Sequence, residues 1–236
     1  MIRILSYNIH GCVGRGGKDS TASILSILKE VNADVVALQE VYNDPSQKEP
    51  FLKTLKTLEY PETEYAITDT SRPRGAFGNV LMSRIKAKEV TKIDLSVRPY
   101  EPRNAIRIQT DVDGCPLDVT ATHLGLNRWE RLLQLQKLSE EFDFGSKGQR
   151  PDGICCLVGD LNEWSSRSRA WRLLDILFGK SPRPRTFPSR YPALALDRIL
   201  VMPQTALQLS WVINSRMARL ASDHLPLVAD LTLRSH

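Results

Sequence analysis

Eight short runs rich in β-branched and apolar residues recur from one end of this chain to the other: Ile2–Tyr7, Asp34–Leu38, Asn79–Met82, Ala105–Thr110, Leu117–Thr122, Ile154–Val158, Asp197–Val201 and Leu225–Leu231. Runs of this length and composition predict strands, so any fold the chain adopts must bury many strands. Helical spacing of apolar residues appears at Thr21–Val31, Trp129–Phe142 and Arg169–Phe178. Helices and strands are therefore mixed, and the late strands follow one another closely. That order disfavours an alternating parallel barrel and fits two sheets with helices outside them. Pro and Gly cluster at Ser71–Gly78, Gly145–Gly153 and Ser181–Pro192, which read as loops rather than linkers. A single domain over residues 1–236 is the expectation.

Composition narrows the class. Lys and Arg number 32 against 27 Asp and Glu, a formal charge of +5, which is mildly basic without a polybasic tail. With 42% hydrophobic and 25% charged residues the chain is neither disordered nor collagen-like. No apolar run approaches the roughly 18 residues of a membrane span, and the first strand begins directly after Met1. The expectation is a cytoplasmic protein with no signal peptide, no integral membrane association and no protein partner. Cys12, Cys115, Cys155 and Cys156 have neither zinc spacing nor disulfide density and read as reduced thiols, the vicinal pair as strand packing.

The informative residues are polar side chains placed where apolar strands end, since there a rigid backbone presents a side chain to solvent. The first run ends at Asn8, the second at Gln39-Glu40, and the fifth at His123. Leu157-Val158-Gly159-Asp160-Leu161-Asn162 ends in a carboxylate and an amide two residues apart, which project to one side if the chain stays extended. Such a pair suits a hard divalent cation or an activated water; the alternative is an Asx-turn opening a helix after Glu163. Asp197 starts one late run and Asp223-His224 precedes the last. Adjacent side chains on a strand diverge, so His224 is expected to find its carboxylate at a distance, for example at Asp197.

Taken in order, Asn8, Gln39-Glu40, Gly78-Asn79, His123-Leu124, Gly159-Asp160-Leu161-Asn162, Asp197-Arg198-Ile199 and Ser222-Asp223-His224 resemble the motifs of the endonuclease/exonuclease/phosphatase superfamily, the DNase I-like fold, across essentially the whole chain. The resemblance implies a four-layered αββα sandwich of two mixed β-sheets flanked by helices. It also implies Mg²⁺ or Mn²⁺ at Glu40, with Asn8 and Asp223 contributing there or nearby. Asp160 would orient or deprotonate the attacking water, Asn162 would hold the phosphoryl group, and His224 oriented by Asp197 would stabilise its charge. His123 would protonate the leaving oxygen or contact the phosphate. Asn79 would support His123 or the phosphate, and Arg103 resembles an arginine that some members aim at phosphate, the alternative being a surface arginine.

Departures bear on substrate. Members cleaving abasic-site DNA or tyrosyl-DNA linkages carry an aspartate two residues after the first asparagine, where this chain has His10, and the abasic-site branch has tyrosine in place of His123. Arg167, Arg169 and Arg172 interleave with Trp164 and Trp171. If that segment faces the cleft, Trp164 stacks on a base while Arg167 and Arg169 follow phosphates; otherwise it is a helix with a charged outer face. The expected activity is a metal-dependent phosphodiester hydrolase acting on DNA or RNA. The alternatives are a phosphodiesterase or phosphatase for phospholipid headgroups, inositol phosphates or small nucleotides, and a catalytically silent binding module.

Overall fold

The structure, a computed structural model, describes residues 1–43, 50–142, 153–165 and 167–233. In chain order the strands are β1 (Ile2–Asn8), β2 (Val35–Asn43), β3 (Glu62–Asp69), β4 (Ala76–Ser83), β5 (Glu89–Asp94), β6 (Asn104–Val112), β7 (Cys115–His123), β8 (Ile154–Asp160), β9 (Asp197–Met202), β10 (Leu207–Val212) and β11 (Leu227–Leu231). The α-helices are α1 (Thr21–Val31), α2 (Phe51–Leu55), α3 (Arg128–Glu141), α4 (Arg169–Phe178) and α5 (Arg216–Ala221). One sheet has the order β10-β11-β1-β2-β4-β3 and the other β5-β6-β7-β8-β9.

Side-chain alternation explains the layering. In β1, Ile2 and Ile4 face the second sheet, whereas Leu5 and Tyr7 face helices α1 and α5. In β8, Ile154, Cys156 and Val158 join the core between the sheets, whereas Cys155 and Leu157 pack under α3 and α4. Strands buried on both faces read as continuous apolar runs, and the order helices, sheet, sheet, helices follows. Alternation also sends the vicinal thiols to opposite faces, and burial raises the pKa of both, as expected of cysteines used for packing.

Each sheet contains one parallel pair, β1 with β2 and β7 with β8. A parallel pair needs a crossover, supplied by α1 in the first case and α3 in the second. α1 stops at Asn32, whose left-handed backbone lets its N–H donate to the Leu28 carbonyl. α3 starts with a capping box formed by Asn127 and Glu130. The two crossovers align the carboxyl ends of four strands, and register sets Asn8 beside Gln39 and His123 beside Asp160.

Some sequence expectations change. Ala76–Gly78 belong to β4, not to a loop, because Tyr42 and Phe77 pair across β2 and β4. The helix expected at Trp129–Phe142 spans Arg128–Glu141. Strands β3, β5 and β10 have no counterpart among the eight runs. The Gly145–Gly153 loop lies outside the described residues, Gly153 excepted.

Candidate active site

Asp160 ends β8 on the face that Val158 presents to the space between the sheets, and it is almost wholly buried. Three elements converge on it. From β1, the Asn8 amide nitrogen donates both to Asp160 Oδ2 at 3.1 Å and to Glu40 Oε1 at 2.9 Å, while Asn8 Oδ1 accepts from the His10 N–H. Nε2 of His123, from β7, and Nε2 of His224, from the loop before β11, each lie 3.6 Å from Asp160 Oδ2. Burial pushes the Asp160 carboxyl up to about 6, against the pull of His224 and the Asn8 amide.

Alternation alone would send Glu40 toward the helices, with Val36 and Leu38. β2 instead gains one residue against β4 between Leu38 and Val41, and Glu40 sits there with φ 58°. A bulge re-aims a side chain, which is how Glu40 reaches the Asn8 amide. Gly159 makes the other close approach. At φ +137° a Cβ there would stand 1.8 Å from the Thr122 carbonyl oxygen of β7, so only glycine lets β7 and β8 run this close beside the site.

The two histidines are held in opposite protonation states. Arg103 Nη1 donates to His123 Nδ1 at 3.1 Å; arginine has no lone pair to offer, so Nδ1 is the acceptor and the proton is on Nε2, facing Asp160. Burial, reinforced by Arg103 and His224, drives the His123 pKa well below its usual value. Asp197, at the start of β9, places Oδ2 2.8 Å from His224 Nδ1 and also accepts from the Thr186 hydroxyl. Burial opposes the charge on His224, but Asp197 together with Asp160 and Asp223 outweighs it and holds the pKa up at about 10. His123 is thus neutral and His224 cationic on either side of one carboxylate.

The remaining sequence candidates are placed as follows. Asn162 does not continue an extended chain. It turns with φ 50°, its backbone N–H donates to Asp160 Oδ1 at 2.9 Å, and its amide nitrogen donates to the Leu124 carbonyl. The Asx contact is therefore made, but the following helix waits until Arg169. Asp223 is half-exposed, 3.7 Å from His10, and off the cavity that Asp160 lines. Asn79 donates to Asn104 Oδ1 at 3.0 Å, tying one sheet to the other rather than touching His123. Arg103 is 5% exposed, so it is not a surface arginine, and it bridges His123 and Glu101. Trp164 is 67% exposed at the rim, with Arg167 and Arg169 beyond it, while Trp171 is buried in the core.

Several supporting residues went unnoticed in the sequence. Thr186 steadies Asp197, and the Ser222 hydroxyl donates to the Asn8 carbonyl, tying the His224 loop to β1. Buried Arg131 reaches the Gly125 and Leu126 carbonyls and Glu163, joining the loop after His123 to the loop after Asp160. Nothing local marks these residues; each acts through a partner far away in the chain.

The cavity lined by these groups has a volume of about 520 Å³, within the range that takes a small organic ligand. Glu40, Asp160, His123 and His224 form its floor, and Phe77, Phe187, Leu194 and Leu196 supply apolar walls. Glu40 and Asn8 carry the oxygen ligands that hard cations take; the Asn8 amide nitrogen faces Glu40 and its oxygen the His10 N–H, so Asn8 would turn its amide over to ligate beside Glu40. Asp160, Asp197 and His224 each carry a potential ligand atom within 4.8 Å of the others, and Asp197 Oδ1 is buried with no hydrogen-bond partner among the described residues, but His224 would ligate only after giving up the proton that Asp197 holds on it.

In an alignment of 254 positions that covers 98% of this chain and 96% of the relative, the chain is 30% identical to the Escherichia coli K12 protein YbhP, itself described as uncharacterized. Its structure resembles that of an endonuclease/exonuclease/phosphatase from Beutenbergia cavernae, with a TM-score of 0.77 and 22% identity over 98% of this chain and 71% of that one. It also resembles D. rerio TDP2 complexed with a single-strand DNA product, with a TM-score of 0.71 and 20% identity over 99% of each chain. The family model described as Endonuclease/Exonuclease/phosphatase family matches residues 5–224, a span that runs from β1 to His224, and the chain belongs to that family of phosphoric ester hydrolases.

Proposed function

We propose that this protein is a divalent-metal-dependent phosphodiester hydrolase acting on nucleic acid. The observation that carries the reading is Asp160: a buried carboxylate with its basicity raised, set between a neutral and a cationic imidazole, and sharing one amide with Glu40. In this reading Asp160 orients the attacking water and takes its proton. His224, kept charged by Asp197, stabilises the negative charge that builds on the phosphoryl oxygens. His123, being neutral, donates a hydrogen bond from Nε2 to the phosphate or to the leaving oxygen and keeps its proton. Glu40, with Asn8 beside it, would hold Mg²⁺ or Mn²⁺, which when bound would supply charge neutralisation for an anionic diester.

The apolar walls and the exposed Trp164 at the rim support a substrate with a base and sugar around its phosphate. The convergence of Asp160, Glu40, Asn8 and the two histidines supports an enzyme over a catalytically silent binding module. The four cysteines are free and buried, which agrees with work in the reducing cytoplasm. The description of TDP2 with a DNA product is of the same kind as the substrate proposed.

The test is a hydrolysis panel of single-stranded DNA, duplex DNA, RNA, anionic phospholipids and inositol phosphates, each with Mg²⁺, Mn²⁺ or chelator. Metal-dependent cleavage of polynucleotides is expected. Turnover confined to lipid headgroups or terminal monoesters would move the function to those substrates.

A further inference from the structure

Beside the catalytic cavity lies a second concavity of about 710 Å³ that shares Leu126 and Trp164 with it. Its walls carry Arg128, Arg131, Arg167, Arg169 and Arg172, and among the described residues lining it Glu163 is the sole acidic one. Glu163 is buried and already paired with Arg131 at 3.3 Å. The other four arginines are exposed and make no ion pair among the described residues. The charge is also ordered. The guanidinium groups of Arg128 and Arg169 both lie over the ring of Trp129, at 5.2 and 5.6 Å from its centroid. That stacking fixes two cations from two different helices on one half-exposed indole. The first turns of α3 and α4 both open here, adding the positive ends of their dipoles.

We infer that this groove binds the stretch of single-stranded nucleic acid that continues from the phosphate held in the catalytic cavity. The inference rests on the hydrolase reading and extends it. Four arginines without an ion pair among the described residues suit a polyanion, and the wall shared at Leu126 and Trp164 lets that polyanion run on into the cleft. Trp164 offers an exposed indole face at the rim, which stacks on a base only when that base is unpaired. A bilayer carries negative charge as well, but a flat surface does not enter a concavity between two helix ends. The groove therefore selects a strand over a membrane.

The test uses the full chain and a 5′-fluorescein-labelled dT12 in EDTA, with binding read by anisotropy over a range of NaCl concentrations. Arg167→Gln/Arg169→Gln is expected to lower the slope of log affinity against log salt by about 1.4, since each phosphate contact on a single strand contributes about 0.7. Trp164→Ala is expected to weaken binding about tenfold at fixed salt, the size of one lost stack. Thermal melting of both variants shows whether they fold; if the arginine pair does not, Arg172→Gln with half the slope change replaces it. Unchanged affinity and slope in folded variants would overturn the inference, as would equal affinity for duplex. Binding to phosphatidylserine vesicles that the same substitutions abolish, with no binding of dT12, would also overturn it, in favour of a lipid surface. Hydrolysis of bis(p-nitrophenyl) phosphate with Mg²⁺, which engages the catalytic cavity alone, tells the two readings apart. If that activity is present while dT12 binding ignores the arginines, the groove inference fails and the hydrolase survives; if it is absent, the hydrolase reading fails on its own account.

Discussion

At the scale of single residues, the pair His123 and His224 shows how environment rather than residue type sets a role. The same imidazole is neutral beside Arg103 and cationic beside Asp197. For His224 the folded value of about 10 stands above the unfolded value near 6.5. The folded state therefore holds a proton that the unfolded state has lost between those limits. The stability His224 contributes is complete below about pH 6.5 and disappears as pH rises through about 10. Melting in EDTA should show the difference between wild type and His224→Gln shrinking across that window; a difference independent of pH would contradict the pairing with Asp197. His123 gives the complementary case. Arg103→Met removes a cation that depresses the His123 pKa, so the imidazole should titrate at higher pH by nitrogen-detected NMR, and an unmoved titration would sink the proposed lock.

At the scale of elements, the β2 bulge carries a local backbone cost in the site. Glu40 occupies the left-handed region, where a side chain is disfavoured by about 1 kcal/mol and glycine is not. Glu40→Gly should melt above Glu40→Ala, the reverse of the usual order in a strand; the usual order would mean that the bulge is not under strain. Glu40→Gln should also raise the Mg²⁺ concentration needed for half-maximal activity, and an unchanged midpoint would remove Glu40 from the metal set. None of this could be seen in Leu38-Gln39-Glu40 alone, which reads as an ordinary strand end. Asn8, His123 and Asp160 were legible because each follows an apolar run buried on both faces. Strands β3, β5 and β10 were not, because they lie at or near sheet edges with half-buried, mixed side chains, where packing by a neighbour, not hydrophobic pattern, decides the conformation.

At the scale of the whole molecule, function follows from topology: two crossovers, α1 and α3, bring the carboxyl ends of two parallel pairs to one end of the sandwich. The residues of the inter-sheet core and those of the site share the same parity along β1, β8 and β9. The site is the open end of that core, with polar groups replacing apolar ones. Motif order in the sequence conveyed this arrangement well, since strand ends keep their identity wherever the strands lie. Partners such as Thr186 for Asp197, Asn104 for Asn79 and Arg131 for Glu163 were invisible, because only the assembled sheets bring them together. The central claim is that this end of the sandwich hydrolyses phosphodiesters through Asp160 with a divalent ion. It is tested most directly by bis(p-nitrophenyl) phosphate turnover for wild type and Asp160→Asn, matched for melting temperature, with Mg²⁺, Mn²⁺ or EDTA. The account predicts metal-dependent turnover that falls by about 10²–10⁴-fold in the variant, whereas a folded Asp160→Asn with near-normal metal-dependent turnover would contradict it.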